Sequence, residues 1–119
     1  MKDFRQLQVW EKGHRLALEI YRVTQSFPRE ELYGLISQMR RSATSIPTNI
    51  AEGCGRRTDL DFARFLQFAM GSASELEYQL LLARDLGFLN DEGYQPLTED
   101  VEEVKRMLTG LLKRLRAGR

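Results

Sequence analysis

The chain has 119 residues, of which 42% are hydrophobic and 29% charged, and its formal net charge is +1. This length predicts one domain with one continuous core, and the composition is that of an ordinary globular protein. A net charge near zero excludes an overall field that would attract nucleic acid or a membrane surface. Cys54 is the only cysteine, which excludes an internal disulfide and leads us to expect a cytoplasmic protein.

No targeting or membrane segment is predicted. The N-terminal residues lack the apolar core of a signal peptide. The most apolar stretch, Phe65 to Ala83, contains Glu75 and Glu77, so we do not expect it to cross a membrane.

Apolar residues recur at helical spacing in four segments, which predicts helices at about 8–26, 30–54, 58–86 and 92–116. The second and third segments alternate spacings of four and three residues, a sustained heptad. The second seam is Leu32, Ile36, Met39, Ala43, Ile46, Ile50 and Gly53, and the third is Phe62, Leu66, Ala69, Ala73, Leu76, Leu80 and Ala83. Because the connections are short, we predict an all-α, antiparallel up-down-up-down four-helix bundle.

Capping residues and prolines in the sequence support the predicted ends of these helices. Thr58 is a good N-cap for the third helix, and Gly87 is a natural residue just beyond its end. Pro96 is expected in the first turn of the fourth helix, where its missing N–H does little harm; if the helix starts earlier, Pro96 is expected to kink it. Pro47 lies inside the second heptad without changing its phase, so a kinked but continuous helix is expected, with nearby polar side chains bonding the freed carbonyls.

Aligning the second and third seams through their loop places Gly53 opposite Phe62. The same register brings Arg41 level with Glu75 and predicts an ion pair between them. Beside the seams lies a second, polar stripe, which is either the wall of a small-ligand crevice near Pro47 or the polar part of a subunit contact. Its candidate residues are Gln38, Arg41, Ser45, Asn49, Glu52, Glu75 and Gln79.

The third helix is apolar nearly all round, and such a helix is buried on more than one side. One four-helix bundle covers only one side, so we expect further copies of the chain to cover the rest as a homo-oligomer. The candidate interface consists of Phe65, Phe68, Met70, Gly71, Tyr78, Leu81 and Leu82.

No group of residues is expected to carry a reaction or to hold a metal or cofactor. His14 is the only histidine, Cys54 has no histidine base beside it, and Glu75 and Glu77 point to different helix faces. Cations are the remaining candidates, because phosphate binding needs several on one surface. The candidate nucleic-acid contacts are Arg40, Arg56, Arg57, Lys113 and Arg114, and the alternative is that they are solvated or ion-paired.

Three stretches resemble the family of proteins encoded in intervening sequences of 23S ribosomal RNA genes. They are SQMRRSATSIPTNIAEGCGR, FRQLQVWEKGHRLALEIY and FLQFAMGSASELEYQLLLARDLGFL. The resemblance implies a cytosolic four-helix bundle that assembles as a ring, a homopentamer, with no enzyme activity established for most members. A related branch, the accessory proteins of diversity-generating retroelements, binds nucleic acid and partners a reverse transcriptase. Those relatives are strongly basic, whereas this chain has a net charge of +1.

The first hypothesis is therefore a non-enzymatic oligomeric bundle that acts as an interaction or scaffold protein. The second is a nucleic-acid-associated protein that uses the arginines and the basic C-terminus, or else works with a partner protein. The third is a small-ligand binder at the polar stripe.

Overall fold

The computed structural model describes residues 3–118, which form four long α-helices joined by short segments. The helices are α1 (Gln8–Thr24), α2 (Ser37–Cys54), α3 (Asp59–Asp85) and α4 (Asp91–Ala117). They form an antiparallel up-down-up-down bundle of 47 × 23 × 20 Å, in which each helix packs against its neighbours in the order α1–α2–α3–α4–α1. The predicted all-α bundle is confirmed.

The heptad seams form the core, as their spacing predicts. In α2, Met39, Ala43, Ile46 and Ile50 are fully buried, and α3 contributes the whole predicted seam from Phe62 to Ala83. Each buried methylene contributes about 0.8 kcal/mol, so these two seams supply much of the hydrophobic stabilisation.

The start of α2 differs from the prediction. Regular α-helix begins at Ser37 rather than near residue 30. Before it come a 3-10 turn, Arg29–Glu31, and a wider π-helical turn, Leu32–Ile36. The backbone leaves helical geometry at Gly34 (φ −113°, ψ −111°), where the absence of a side chain makes the departure easy. The Glu31 carboxylate accepts a hydrogen bond of 3.2 Å from the Leu35 N–H and holds this turn.

Pro47 lies within α2, and the predicted continuous helix is confirmed. Pro47 is buried beside Gly13 of α1. A Cβ on Gly13 would come 3.1 Å from Ile46 Cγ2 and 3.7 Å from Pro47 Cδ, so the glycine lets the two helices approach closely. Asn49 Nδ2 donates to the Ser45 carbonyl at 2.8 Å, whereas the carbonyl that Pro47 frees is that of Ala43.

Both predicted ends of α3 have the expected capping bonds. Thr58 Oγ1 accepts from the Asp61 N–H at 3.1 Å. At the other end Gly87 adopts φ +83°, the Phe88 N–H donates to the Ala83 carbonyl at 2.9 Å, and the Gly87 N–H donates to the Arg84 carbonyl at 3.0 Å. This pair of bonds is a Schellman motif.

Pro96 does not lie in the first turn of α4, because the helix starts earlier than that placement requires. The Asn90 side chain accepts from the Gly93 N–H at 2.8 Å and caps α4, so the helix begins at Asp91. Pro96 therefore lies in the second turn, where it removes the hydrogen bond to the Glu92 carbonyl.

Candidate interaction surfaces

Some side chains of the polar stripe between α2 and α3 already form hydrogen bonds within the chain. Ser72 Oγ lies 2.8 Å from Ser45 Oγ, which links the two helices. Asn49 Nδ2 lies 2.9 Å from the same Ser45 hydroxyl, on the α2 side. Because Ser45 and Ser72 face each other and Gly53 contacts Phe62, the register predicted from the heptads is confirmed.

The predicted ion pair between Arg41 and Glu75 does not form. Both side chains are exposed, and Glu75 accepts a weak hydrogen bond of 3.4 Å from Gln79 Nε2 on its own helix. Two long solvated side chains lose rotamer freedom when they pair, and the Coulomb gain in water is small. Gln38 and Glu52 are also exposed, and Glu52 accepts from Arg56 at 3.1 Å.

Gln79 is the buried member of the stripe. Its side chain is only 4% exposed, and its Oε1 meets no donor among residues 3–118. An unmatched buried acceptor destabilises a fold by about 1–3 kcal/mol.

A groove of about 440 Å³ lies beside Pro47, but on the flank of α2 that faces α1 rather than on the polar stripe. We call it the α1–α2 groove, and its lining carries no lysine, arginine, aspartate or glutamate. The lining residues are Phe4, Trp10, His14, Ala17, Leu18, Tyr21, Thr44, Pro47, Thr48 and Ala51.

Aromatic stacking shapes one wall of the α1–α2 groove. The rings of Trp10 and His14 are stacked with centroids 5.0 Å apart and an interplanar angle of 6°, and Phe4 meets Trp10 edge-on at 4.9 Å. Sequence reasoning missed this groove as a site. Its signal was present in the uncharged stripe of Trp10, His14 and Tyr21 at helical spacing, next to the core seam of α1.

Arg40 is held against α1. Its Nε donates to Thr24 Oγ1 at 2.9 Å, and its guanidinium stacks 4.6 Å from the centre of the Tyr21 ring. The Thr24 hydroxyl in turn donates to the Ile20 carbonyl at 2.6 Å. The guanidinium therefore joins α1 to α2 instead of presenting all its donors to solvent.

The other candidate cations lie at one end of the bundle. α2 ends and α3 begins at this end, and α4 returns to it, so the α2–α3 loop and the C-terminal turn of α4 are brought together. Arg57, Lys113 and Arg114 are exposed there and form no ion pair with any of residues 3–118. Arg56 lies 3.1 Å from Glu52 and 4.6 Å from the Phe65 ring centre.

The outward side of α3 carries few charges. We call it the α3 outer face, and its exposed residues are Leu60, Arg64, Gln67, Phe68, Gly71, Ser74, Glu75 and Tyr78. Leu60 is 65% exposed, Tyr78 60% and Phe68 47%, so three large apolar side chains of this face are open to solvent.

The remaining residues of the predicted interface lie beside this face or beneath it. Met70, Leu81 and Leu82 are half-buried at its margins. Phe65 is buried, with the Arg56 and Arg64 guanidinium groups over its ring.

Metal-binding side chains form no cluster in the part of the chain that the structure describes. Residues 3–118 contain no group of three histidine, cysteine, aspartate or glutamate side chains that could hold a metal ion. Within the same residues, no helix combines the length and hydrophobicity that crossing a bilayer requires.

Fold and surfaces together define an all-α four-helix bundle with two candidate interaction surfaces on its sides and exposed cations at one end. The chain belongs to the family of 23S rRNA-intervening sequence proteins, whose family model matches residues 5–110. A search of curated proteins gave no match.

Among solved structures, the chain is similar to a protein of unknown function from the S23 ribosomal protein family of Bacteroides thetaiotaomicron. The two share 28% sequence identity and superpose with a TM-score of 0.80, over 88% of this chain and 98% of the other. The two proteins therefore share the bundle fold. The function of the Bacteroides protein is unknown.

Proposed function

We propose that this protein is a non-enzymatic, homo-oligomeric interaction protein that associates through the α3 outer face. The observation that carries the proposal is the exposure of Leu60, Phe68 and Tyr78 on one side of a helix. Burying apolar surface contributes about 25 cal/mol per Å² of favourable free energy, so an association that covers this face is stabilised. Five copies are the expected number, as the family resemblance implies, and the single cysteine favours a cytoplasmic location.

The charges around the α3 outer face support this proposal. Glu77 is paired with Lys105 of α4 at 2.9 Å, and Arg64 lies over the Phe65 and Phe68 rings. Of the three acidic side chains between residues 60 and 84, Asp61 pairs with Arg64 at 3.7 Å and Glu77 pairs with Lys105. The exposed Glu75 forms no ion pair with any of residues 3–118. Association through this face would thus bury few unpaired charges, which is the condition for a stable contact.

Size-exclusion chromatography with light scattering tests the proposal. We expect a mass several times the 13.8 kDa of one chain at micromolar concentration. Tyr78→Glu should reduce the mass towards one chain, because it places a carboxylate in the buried contact. Thr109→Glu, an exposed change on α4, serves as the matched control and should leave the mass unchanged. A wild-type protein that elutes as one chain would overturn the proposal.

A second candidate function is nucleic-acid binding at the basic end. Arg57, Lys113 and Arg114 are gathered at one end of the bundle by the antiparallel topology, although they are far apart in the sequence. Several cations on one surface give salt-dependent affinity for phosphates.

Retention on immobilised RNA and DNA at increasing salt tests this candidate. Arg57→Ala with Arg114→Ala should lower the salt needed for elution. Arg15→Ala with Arg22→Ala removes the same charge from the exposed side of α1 and should have a smaller effect. Absence of wild-type retention at low salt would contradict nucleic-acid binding.

A further inference from the structure

We propose that a cavity at the turn between α1 and α2 binds a small organic anion. We call it the turn cavity, and its volume is about 200 Å³. It lies at the end of the bundle opposite to Arg57 and Arg114 and shares no residue with the α1–α2 groove. Its lining residues are Thr24, Gln25, Phe27, Arg29, Leu32, Ile36 and Arg40.

Arg40 is a half-buried cation that has no anionic partner in the chain. It forms no ion pair with any of residues 3–118. Its Nε donates to Thr24 Oγ1 at 2.9 Å and its Nη2 to the Tyr21 carbonyl at 3.3 Å, and both acceptors are neutral. Charges withdrawn from water are normally paired with an opposite charge. The missing counter-charge therefore points to an anion that the chain itself does not supply.

A second cation lines the turn cavity. Arg29, an exposed residue of the 3-10 turn, also forms no ion pair with any of residues 3–118. Two guanidinium groups on one small cavity repel each other, and an anion between them removes that repulsion. The cavity therefore favours a negatively charged ligand over a neutral one.

The acidic residues of the turn do not supply this anion. Glu30 and Glu31 follow Arg29 in the sequence, but neither lines the turn cavity. The Glu31 carboxylate instead accepts from the Leu35 N–H at 3.2 Å, and Glu30 is exposed. The lining as a whole contains no aspartate or glutamate.

Arg40 is held in place before any ligand binds. Thr24 is only 1% exposed, and its hydroxyl is fixed by the hydrogen bond to the Ile20 carbonyl. The Tyr21 ring packs 4.6 Å from the guanidinium. A guanidinium fixed in this way loses little rotamer freedom when a ligand binds, which favours affinity. Its Nη1 donates to no acceptor among residues 3–118 and is left for the ligand.

Volume and apolar side chains define the rest of the ligand. The cavity has about seven times the ≈30 Å³ that one water occupies in the liquid, which is room for a single ring or a short chain. Phe27 and Ile36 form buried apolar walls, and Leu32 is 43% exposed at the edge. Guanidinium groups bind carboxylates and phosphates through paired hydrogen bonds. The ligand class is therefore a small carboxylate or phosphate monoester with an apolar body.

The backbone beside the turn cavity has an unusual conformation. Leu32 and Ile36 begin and end the π-helical turn that contains the non-helical Gly34. Single π-helical turns are frequent at functional sites. The Gly34 amide is also a convenient reporter, because it lies in the segment that a bound ligand would contact.

A titration of the ¹⁵N-labelled full chain, followed by NMR, tests the proposal. The probes are benzoate, phenyl phosphate and the uncharged benzyl alcohol, each added at constant ionic strength. We expect saturable shifts of the Gly34 N–H and Arg40 Nε–H signals with at least one of the two anions, and weaker binding of benzyl alcohol. The tighter of the two anions identifies the preferred charged group.

Variants separate a built site from general attraction by positive charge. Arg29→Gln removes a lining cation that forms no ion pair within residues 3–118, and should weaken anion binding about tenfold or more. Arg41→Gln makes the same charge change at an exposed residue outside the lining, and should change the affinity less than about twofold. Arg40→Lys keeps the charge but loses the planar fork, so it should also weaken binding.

Circular dichroism checks that each variant is folded, and the comparison of Arg29→Gln with Arg41→Gln decides the test if Arg40→Lys unfolds. Absence of saturable shifts with both anions would overturn the proposal. Equal affinity for benzyl alcohol and the anions would do the same, and so would equal losses of affinity in Arg29→Gln and Arg41→Gln. None of these results depends on assembly through the α3 outer face.

Discussion

Gly53 of α2 lies directly against the ring of Phe62 at the start of α3. A Cβ added to Gly53 would come 2.9 Å from Phe62 Cδ1 and 3.0 Å from Phe65 Cβ, so only glycine fits without a shift. This close approach fixes the register of the α2–α3 hairpin at its loop end. It also sets the level at which Ser45 and Ser72 meet.

Replacing this glycine tests the contact. Gly53→Ala should destabilise the chain by about 1–3 kcal/mol, because an overpacked core must displace a ring or a backbone. Gly71→Ala is the matched control on α3, where an added Cβ meets nothing within 4 Å, and it should stabilise the helix by about 1 kcal/mol. Urea unfolding of both variants in the Tyr78→Glu background measures the difference without a contribution from assembly. Equal effects of the two changes would contradict the close packing at Gly53.

Arg40 is expected to matter for stability rather than for nucleic-acid binding. Arg40→Ala removes the hydrogen bond to buried Thr24 and the stacking on Tyr21, and should destabilise the chain by about 1–3 kcal/mol. Arg41→Ala, its exposed neighbour, should change stability by less than about 0.5 kcal/mol. Thermal unfolding measures the stability of both variants. A larger loss for Arg41→Ala than for Arg40→Ala would show that the α1 contacts of Arg40 contribute little.

Gln79 offers a stabilising change. Gln79→Met keeps the length of the side chain and removes the buried Oε1 that has no donor among residues 3–118, so stability should rise by about 1 kcal/mol. Gln67→Met, an exposed change on the same helix, should have little effect on urea unfolding. A loss of stability in Gln79→Met would indicate that water or a neighbouring copy supplies the missing donor.

The pair of Glu19 and Arg22 predicts a small pH dependence. Arg22 donates a hydrogen bond of 2.6 Å to the Glu19 carboxylate, which holds the pKa of Glu19 below its ordinary value. Since the folded pKa lies below the unfolded one, this stabilisation is present above the unfolded pKa and is lost as pH falls through the folded pKa. Melting temperatures of wild type should therefore fall slightly more than those of Glu19→Gln between about pH 6 and pH 3. An equal fall in melting temperature for the two proteins would contradict the lowered pKa of Glu19.

Sequence alone determined the helical fold and much of its register. Alternating spacings of four and three residues set which sides of α2 and α3 are buried, because a helix repeats its faces with a nearly fixed period. The caps at Thr58 and Gly87 follow from short-range backbone chemistry, which acts within a few residues. The start of α4 relative to Pro96 and the start of α2 near Gly34 were predicted less accurately. At both places a cap or a turn competes with the helix for the same backbone groups.

The tertiary structure alone decided which side chains meet across helices. Arg41 and Glu75 are level in the predicted register but do not pair, whereas Arg40 binds Thr24 of the neighbouring helix. Long side chains have many rotamers, and spacing along the chain does not select among them. The α1–α2 groove and the basic end likewise depend on how separate helices pack, because their residues come from segments that only the folded bundle brings together.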